Sequence, residues 1–362
     1  MNTKCASGRK LGSRSKILVA LDFFLPTKEQ FEYKSVSLIH IPIFQEEEEY
    51  TIQQPSTVGV IVKGIENIKY AEKIKGTANG VYLMKGLRED MIAVFKPIQE
   101  EIFYSVGKKK GYKADREVAA FILDHPAQEG GERFGRVPPT SFARARYTNG
   151  ETTDSESGSL QQYVQNQEWK QRPEVFAIDD VQRLSLIDVR FGNNDRHNGN
   201  ILNSNTNGGR LIPIDHGECF PNFIWTTWAQ AAFPYPYYMV DYVKSLDVKN
   251  DLNTLKENGI ELGERSEYIY KVQNKVLQAG VLGGYTPKDI GKFMTKVYRR
   301  KKEKAPRTII DVMNCMSGIP EAWSVEESQA LELVHEKTTS ALDYNRSLPE
   351  ENLKGSTSTY RR

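Results

Sequence analysis

Cysteine, long apolar runs and an excess of one charge are all scarce in this sequence. Its three cysteines, Cys5, Cys219 and Cys315, are too few and too far apart to predict a disulfide framework or a zinc cluster, and they fit a reducing compartment. Lys and Arg number 49 against 47 Asp and Glu, a near balance that argues against a nucleic-acid binder held by bulk electrostatics. The composition, 27% charged and 39% hydrophobic, is typical of a globular protein.

No apolar run approaches the roughly 18 residues that a membrane-spanning helix needs. The nearest candidate for a targeting segment is Ile17 to Leu25, which follows several basic residues. Asp22 interrupts it and no small-residue cleavage site follows, so we favour a first β-strand behind a basic arm over a signal peptide. We expect a cytoplasmic protein, peripheral on the cytosolic face of membranes if it meets them at all.

The pattern of apolar residues changes along the chain. Short apolar runs separated by turns predict strands at 58–62, 81–84 and 91–95. The polar stretch 148–159 has the composition of a loop. Helical spacing dominates the last third, at Ser266–Leu282, Pro287–Lys301, Thr308–Met316 and Ser324–Leu342. We therefore predict an α+β protein whose strand-rich first half and helix-rich second half form two lobes with a cleft between them.

The most informative stretch begins with a helix. Val181, Leu184, Ile187 and Phe191 recur at spacings of three and four, which predicts a helix that ends at Gly192. A polar loop follows, and then two short apolar runs around an Asn-Gly-Gly turn predict a β-hairpin at 201–214. The sequence Asp215-His216-Gly217 stands directly after the second strand.

The predicted hairpin is expected to bring the polar residues on its two sides together. Because a hairpin returns the chain to its starting edge, Asp195 and Asn200 before it are expected near Asp215 after it. One carboxylate can then orient or deprotonate a hydroxyl, while an amide oxygen and a second carboxylate hold magnesium. Asp-x4-Asn followed by Asp-x-Gly is the layout of phosphoryl transfer in kinases. The alternative is that these residues only form turns and cap a strand.

Lys96 is the candidate cation for nucleotide phosphates. It ends the apolar run 92–95, and Pro97 stops the strand. Glu117 lies 21 residues later on a predicted helix with an apolar face, and a Lys–Glu pair of this kind must be in place in protein kinases. A solvated surface lysine is the alternative, which the downstream Asp195 loop disfavours.

Two further groups of residues are weaker candidates. Gly76, Thr77 and Gly80 lie in a small-residue turn whose backbone N–H groups could approach a triphosphate, although short glycine turns are common. His197 and His216 could share proton work with Asp195, but a loop-ordering role in hydrogen bonding is as good an interpretation.

These stretches, in this order, resemble the phosphatidylinositol 3-/4-kinase superfamily, and within it the type II-like branch that includes the plant gamma-type phosphatidylinositol 4-kinases. The resemblance covers about residues 75 to 250 and is carried by Gly76-Thr77, Gly80-Val81-Tyr82, Val94-Phe95-Lys96-Pro97-Ile98, Arg116-Glu117-Val118-Ala119-Ala120, Leu123-Asp124-His125-Pro126, Val137-Pro138-Pro139-Thr140, Gly158-Ser159-Leu160-Gln161, Asn194-Asp195-Arg196-His197 with Gly199-Asn200-Ile201-Leu202, and Leu211-Ile212-Pro213-Ile214-Asp215-His216-Gly217. One departure is Ala229, which stands where the family has proline in Trp-x-x-Trp-Pro-Gln-Ala.

The resemblance implies a bilobal protein-kinase-like fold, with a β-rich N-lobe and a mainly helical C-lobe, that uses ATP and Mg²⁺, with Mn²⁺ as the alternative ion. It implies nucleotide contacts at Gly76, Thr77, Gly80, Lys96 and Glu117, catalytic roles at Asp195, Arg196 and His197, and metal ligands at Asn200 and Asp215. The expected domains are an N-terminal extension of unknown role at 1–56, the N-lobe at 57–145, the C-lobe at 146–346 and a disordered tail at 347–362.

The segment after Asp215 bears on the substrate. Residues 216–242 contain nine aromatic residues and no Lys or Arg, so they offer no cation to an already phosphorylated inositide. This favours unphosphorylated phosphatidylinositol in a membrane, although a core packed with aromatics accounts for part of the pattern. The basic runs 108–110 and 299–302 are expected to touch anionic lipid or simply to face solvent.

Three hypotheses follow. The first is a lipid kinase that makes phosphatidylinositol 4-phosphate; the second is a protein Ser/Thr kinase of the same fold, which the resemblance also permits. The third is a catalytically silent scaffold, which the intact set of Lys96, Glu117, Asp195, Asn200 and Asp215 disfavours.

Overall fold

The fold was analysed in a computed structural model. The structure describes residues 17–22, 67–77, 79–86, 88, 90–102, 111–126, 131–149, 152–166, 176–193, 195–204, 210–219, 229–294 and 327–347. The strand predicted at 58–62, the helix predicted at Thr308–Met316 and both basic runs lie outside these residues.

Six antiparallel strands form a closed barrel in the order β1-β2-β3-β4-β6-β5. They are β1 (Ile17–Asp22), β2 (Tyr70–Lys73), β3 (Tyr82–Lys85), β4 (Met91–Pro97), β5 (Thr140–Asn149) and β6 (Thr152–Gln162). The barrel encloses a small apolar core of Ile68, Met84, Ile92, Ala93, Phe95, Ala143, Ala145 and Leu160. The predicted strands at 81–84 and 91–95 are confirmed as β3 and β4, and the first strand predicted from Ile17 is β1.

The prediction of a loop at 148–159 is wrong. Thr148 pairs with Thr153 and Ala143 with Gly158, so the stretch forms the end of β5 and most of β6. Polar composition misled us because barrel strands pair through backbone hydrogen bonds, and threonine favours extended backbone whatever its polarity. The closed barrel thus includes both β1, at Ile17–Asp22, and β6, at Thr152–Gln162.

Gly158 lies at a close approach between two strands. It pairs with Pro97 across the ladder of β4 and β6. A Cβ atom at this position would lie 2.2 Å from the carbonyl oxygen of Lys96, so only glycine fits without backbone movement. The strand that carries Lys96 is thus held directly against β6.

Helices make up most of the described residues after β6, and one further helix lies between β4 and β5. They are α1 (Tyr112–Leu123), which precedes β5, α2 (Ile178–Phe191), α3 (Tyr237–Ser245), α4 (Val248–Glu257), α5 (Glu264–Leu282), α6 (Pro287–Met294) and α7 (Glu327–Ser347). A large apolar core packs α1 to α7 together. The helices predicted at Ser266–Leu282 and Ser324–Leu342 are confirmed, and α6 is the described part of the one predicted at 287–301. None of the described helices is both long and apolar enough to cross a bilayer.

α2 and the hairpin that follows it position the polar loop. The helix ends at Gly192, whose φ of 63° is left-handed and therefore suits glycine. The predicted hairpin is confirmed as β7 (Ile201–Ser204) and β8 (Arg210–Pro213), with Ile201 opposite Pro213. A separate apolar cluster joins α2 to this hairpin through Val181, Leu184, Ile201 and Leu211, so the loop between them has fixed ends.

Candidate active site

Three elements converge on the ammonium group of Lys96. Its Nζ forms an ion pair with Glu117 of α1 and lies 3.0 Å from Oδ1 of Asp215, the second residue after β8. The side chain of Glu117 is 3% exposed, that of Lys96 23% and that of Asp215 44%. The barrel, α1 and the turn after the hairpin therefore meet at one charged cluster that opens to solvent on the Asp215 side.

The charges of this cluster stabilise one another. Burial opposes the charge on Lys96, but the Asp215 and Glu117 carboxylates outweigh it and hold the pKa of the ammonium above its ordinary value. Attraction by Lys96 lowers the pKa of Asp215, and burial raises that of Glu117. At neutral pH the cluster thus presents a cation and an ionised, accessible carboxylate.

The Asp195 loop lies beside this cluster, as the sequence predicted. The Asn200 Nδ2 donates to the backbone oxygen of Asp195 at 2.8 Å and lies 3.4 Å from Oδ2 of its side chain. The backbone N–H of Ile214 donates to the carbonyl of Asn200 at 3.1 Å, which brings the loop next to the residue before Asp215. Asp195 is exposed and Asn200 is buried, so their side chains face different surroundings.

The electrostatic environment of Asp195 suits a proton acceptor. Partial burial raises the pKa of its carboxyl group, and the nearby carboxylates of Asp215 and Glu218 raise it further, while His197 and Asn200 oppose them. A raised pKa makes a carboxylate a stronger base, yet partial exposure leaves it reachable by a substrate hydroxyl.

The backbone at Asp215 is unusual. Its φ of 58° is left-handed, which is uncommon for a residue other than glycine. The next residue, His216, donates its backbone N–H to Oε2 of Glu117 at 3.1 Å. Glu117 thus binds both Lys96 and the backbone beside Asp215, and it fixes their separation.

The two histidines differ in environment. His197 is exposed, and its Nδ1 accepts a hydrogen bond from the backbone N–H of Gly199 at 3.0 Å. His216 is buried, and burial together with Arg196 and Lys96 lowers its pKa well below the ordinary value, so it is neutral near pH 7. These contacts favour loop ordering over proton transfer for both residues.

Arg196 points into the protein. Its guanidinium binds the carboxylate of Asp188 and the backbone carbonyls of Asn200 and Ile214. The side chain is buried, so these contacts favour a supporting position over the direct catalytic contact that the resemblance implied. Asp188 was not among the residues predicted from the sequence, although an acidic residue between Ile187 and Val189 in an apolar helix was a usable signal.

The glycine turn is tied to its own strands and to Glu100. Gly76 has a left-handed φ of 84°, and Thr77 Oγ1 donates to the carbonyl of Ile74 at 3.2 Å. The side chain of Glu100 fills the space beside Gly80 and accepts hydrogen bonds from Lys73 and Tyr82 at the two ends of the turn. None of the hydrogen bonds recorded for the described residues joins Gly76, Thr77 or Gly80 to Lys96.

A second lysine, Lys113, which was not predicted from the sequence, lies between the glycine turn and the segment after Asp215. Lys113 Nζ is 3.0 Å from Oε1 of Glu218 and 3.5 Å from Oδ1 of Asn79. Asn79 also accepts a hydrogen bond from the backbone N–H of Ile102 at 2.8 Å. The glycine turn and the Asp215 segment therefore approach the same face of α1.

The oxygen atoms at the site fit a divalent ion. With Nδ2 of Asn200 turned to Asp195, its amide oxygen is left as a ligand, and Asp215 supplies an ionised carboxylate. No group of three or more His, Cys, Asp or Glu side chains among the described residues could hold a metal by itself. Two protein ligands completed by phosphate oxygens are typical of Mg²⁺ bound with a nucleotide.

Comparison with known proteins places these residues in context. A family model described as "Phosphatidylinositol 3- and 4-kinase" matches residues 95–287. The chain is similar to phosphatidylinositol 4-kinase gamma 4 of Oryza sativa subsp. japonica, 34% identical over 281 residues that cover 69% of this chain and 49% of that protein. It is also similar to phosphatidylinositol 4-kinase gamma 2 of Arabidopsis thaliana, 33% identical over 286 residues, 66% of this chain and 50% of the relative. The chain spans about half the length of these curated relatives.

Proposed function

This chain belongs to the phosphatidylinositol 3- and 4-kinase family, and on that premise we propose that it transfers the γ-phosphate of ATP to the inositol ring of phosphatidylinositol, forming phosphatidylinositol 4-phosphate. The observation that carries the proposal is the cluster in which Lys96 binds Glu117 and Asp215. A Lys–Glu pair together with a metal-binding Asp is what phosphoryl transfer in kinases requires. The family implies ATP as substrate and a divalent metal ion; Mg²⁺ in particular is our proposal.

The architecture supports a bilobal kinase-like fold. In it the barrel with α1 forms the N-lobe, the remaining helices form the C-lobe, and the cleft lies where Lys96 meets Asp215. Lys96, in β4 of the barrel, and Asp215, after β8, are 119 residues apart in sequence but in contact in the fold. ATP enters this cleft with its phosphates toward Lys96.

Each residue of the site has a distinct role in this proposal. Asp195 accepts the proton of the attacking inositol hydroxyl, because it is exposed and its pKa is raised. Lys96, held by Glu117, neutralises phosphate charge, and the backbone of the glycine turn covers the phosphates. Asn200 and Asp215 would hold a divalent ion, and such an ion would supply positive charge beside the transferred phosphoryl group. His197 orders the loop.

A labelling experiment tests the substrate. The protein is incubated with γ-labelled ATP, Mg²⁺ and either phosphatidylinositol vesicles or a protein mixture, with Asp195→Asn as the matched control. We expect label in a lipid that co-migrates with phosphatidylinositol 4-phosphate, and none with the variant. Label confined to protein would replace the lipid proposal with a protein Ser/Thr kinase.

Exposed aromatic residues support contact with a membrane. Of the described aromatics between 216 and 242, Tyr235 and Tyr242 are core residues, whereas Phe233, Tyr237 and Tyr238 are exposed. We propose a cytoplasmic protein that meets the cytosolic face of membranes through this exposed aromatic group. Co-sedimentation with phosphatidylinositol vesicles should fall for Phe233→Ser/Tyr237→Ser relative to wild type; unchanged binding would contradict this contact.

A further inference from the structure

We propose that Asp188 of α2 is a positioning residue for phosphotransfer, which acts through Arg196 to hold Asn200 and Asp215 in the arrangement that binds the metal and nucleotide. The inference rests on the proposed function and extends it to a residue that lies outside the motifs. Its test therefore includes a measurement that does not depend on turnover.

Asp188 and Arg196 form a two-pronged ion pair. Nε of Arg196 lies 3.0 Å from both carboxylate oxygens of Asp188, and Nη2 lies 3.0 Å from Oδ1. Both side chains are buried, at 5% and 2% exposure. Arginine presents its donors in a rigid planar fork, so this contact fixes the orientation of the guanidinium as well as its position.

The same guanidinium also binds the residues around the proposed metal ligands. Nη1 donates to the carbonyl oxygens of Asn200 and, at 2.7 Å, Ile214, and Nη2 lies 3.3 Å from Nε2 of His216. Asn200 is the proposed amide ligand, and Ile214 and His216 are the two neighbours of Asp215. One side chain therefore joins both proposed metal ligands to α2.

Removal of the Asp188 charge should release this arrangement. A buried guanidinium without its carboxylate is strongly unfavourable, so it would move toward other acidic groups or toward solvent. Asp195 directly precedes Arg196 in sequence, and Asp215 directly follows Ile214, so the loop and the turn that Arg196 holds both carry acidic groups. Either movement would withdraw the support of the two carbonyl groups and disturb both metal ligands.

The chain offers a matched control for the cost of neutralising a buried aspartate. Asp124 is fully buried and accepts hydrogen bonds from the backbone N–H groups of Gly135 and Val137 at 2.6 and 2.9 Å. Among the described residues, neither of these bonds involves the Asp195 loop or Asp215. Burial raises the pKa of both Asp124 and Asp188 to about 6. Asp188→Asn and Asp124→Asn thus each remove one fully buried carboxyl group with a raised pKa, while only the first removes the partner of Arg196.

The experiment compares wild type, Asp188→Asn and Asp124→Asn. Binding of Mg²⁺ with a non-hydrolysable ATP analogue is measured by calorimetry, and the Mg²⁺ dependence of the phosphorylation rate is measured on phosphatidylinositol vesicles. For Asp188→Asn we expect about 10–100-fold weaker metal-dependent nucleotide binding and a fall of similar size in kcat, with the KM for lipid unchanged. Asp124→Asn should retain wild-type binding and kcat at temperatures where it is folded.

Two results would overturn the inference. In the first, Asp188→Asn matches Asp124→Asn in both nucleotide binding and the phosphorylation rate. In the second, Asp188→Asn changes only the KM for lipid. If Asp188→Asn does not fold, Arg196→Lys replaces it, because a lysine keeps the buried ion pair but cannot also reach both carbonyls; unaltered binding there would equally overturn it. If the wild-type protein labels neither lipid nor protein, the proposed function fails, and calorimetry alone still decides the role of Asp188.

Discussion

Two clusters of buried charge in this protein differ in how completely the chain encloses them. In the open cluster, Lys96 binds Glu117 and Asp215, and nearly half of the Asp215 side chain is accessible. In the enclosed cluster, Arg190 lies 2.8 Å from Asp251, and both side chains are almost wholly buried. His125 and the hydroxyl of Tyr270 also bind Asp251, and the Arg190 guanidinium donates to the carbonyl of Leu123.

The difference in exposure distinguishes a structural ion pair from one that can bind a ligand. The carboxylate of the enclosed cluster binds other side chains of the fold, so its charges hold helices together. The open cluster also pairs a cation with two carboxylates, but it leaves one carboxylate and part of the ammonium accessible to a ligand. A buried ion pair does not by itself mark an active site, because structural ion pairs are buried too. What sets the open cluster apart is that Lys96 and Asp215 stay accessible to a ligand.

The largest effect is expected beside the open cluster. Asp195→Asn should lower the phosphorylation rate by about 10²–10⁴-fold, because the amide cannot accept the hydroxyl proton. Its melting temperature should stay near that of wild type, since Asp195 is exposed. Initial rates and thermal unfolding measured on the same preparation check both statements; a variant that keeps the wild-type rate would remove Asp195 from the mechanism.

In the enclosed cluster, the expected loss is one of stability. Arg190→Met leaves Asp251 without its buried cation and should lower the free energy of unfolding by about 3–5 kcal/mol. Urea denaturation at neutral pH measures this, and the double variant Arg190→Met/Asp251→Leu should recover part of the loss. The rate per folded molecule should be retained; a stable variant with a selective loss of rate would erase the distinction between the clusters.

Lys96→Met tests the open cluster directly. Loss of the cation should lower kcat by about 10²–10³-fold, because phosphate charge is no longer neutralised. Stability should change less than in Arg190→Met, since Asp215 can be hydrated while Glu117 becomes protonated. Steady-state kinetics with varied ATP measures the loss in kcat, and urea denaturation measures the loss in the free energy of unfolding. A larger loss of stability than in Arg190→Met would show that Lys96 is mainly structural.

The smallest effect is a pH dependence of the enclosed cluster. Burial opposes ionisation of Asp251, but His125, Arg190 and Tyr270 outweigh it and lower the pKa of its carboxyl group. The carboxylate therefore stabilises the fold above the unfolded pKa of about 3.9, and this stabilisation is lost as pH falls through the lower folded pKa. The difference in unfolding free energy between wild type and Asp251→Asn should shrink below about pH 4; a constant difference down to pH 3 would contradict it.

Residues in short local patterns could be predicted from the sequence. A hairpin between two polar loops forces its ends together, so the proximity of Asn200 and Asp215 followed from the Asn-Gly-Gly turn and two apolar runs. The Lys96–Glu117 pair followed from a lysine at the end of a buried strand, because such a charge requires a partner.

Features that depend on contacts between distant segments could not be predicted. β6 has little apolar character, and only its pairing with β4 and β5 makes it a strand. Asp188 and Arg196 are separated by the end of a helix, and nothing local shows that their side chains converge. Lys113 and Glu218 are more than 100 residues apart in sequence. They form an ion pair only because the segment after the hairpin packs near α1 in the folded protein.

The tight contact at Gly158 has a consequence for anyone who mutates this protein. A methyl group there would collide with the carbonyl oxygen of Lys96, and neither partner is a flexible side chain that can turn away. Gly158→Ala would therefore displace the phosphate-binding lysine through its own backbone, without touching nucleotide or lipid. In a mutational scan, a small change in an apparently unremarkable polar stretch would then register as an active-site defect.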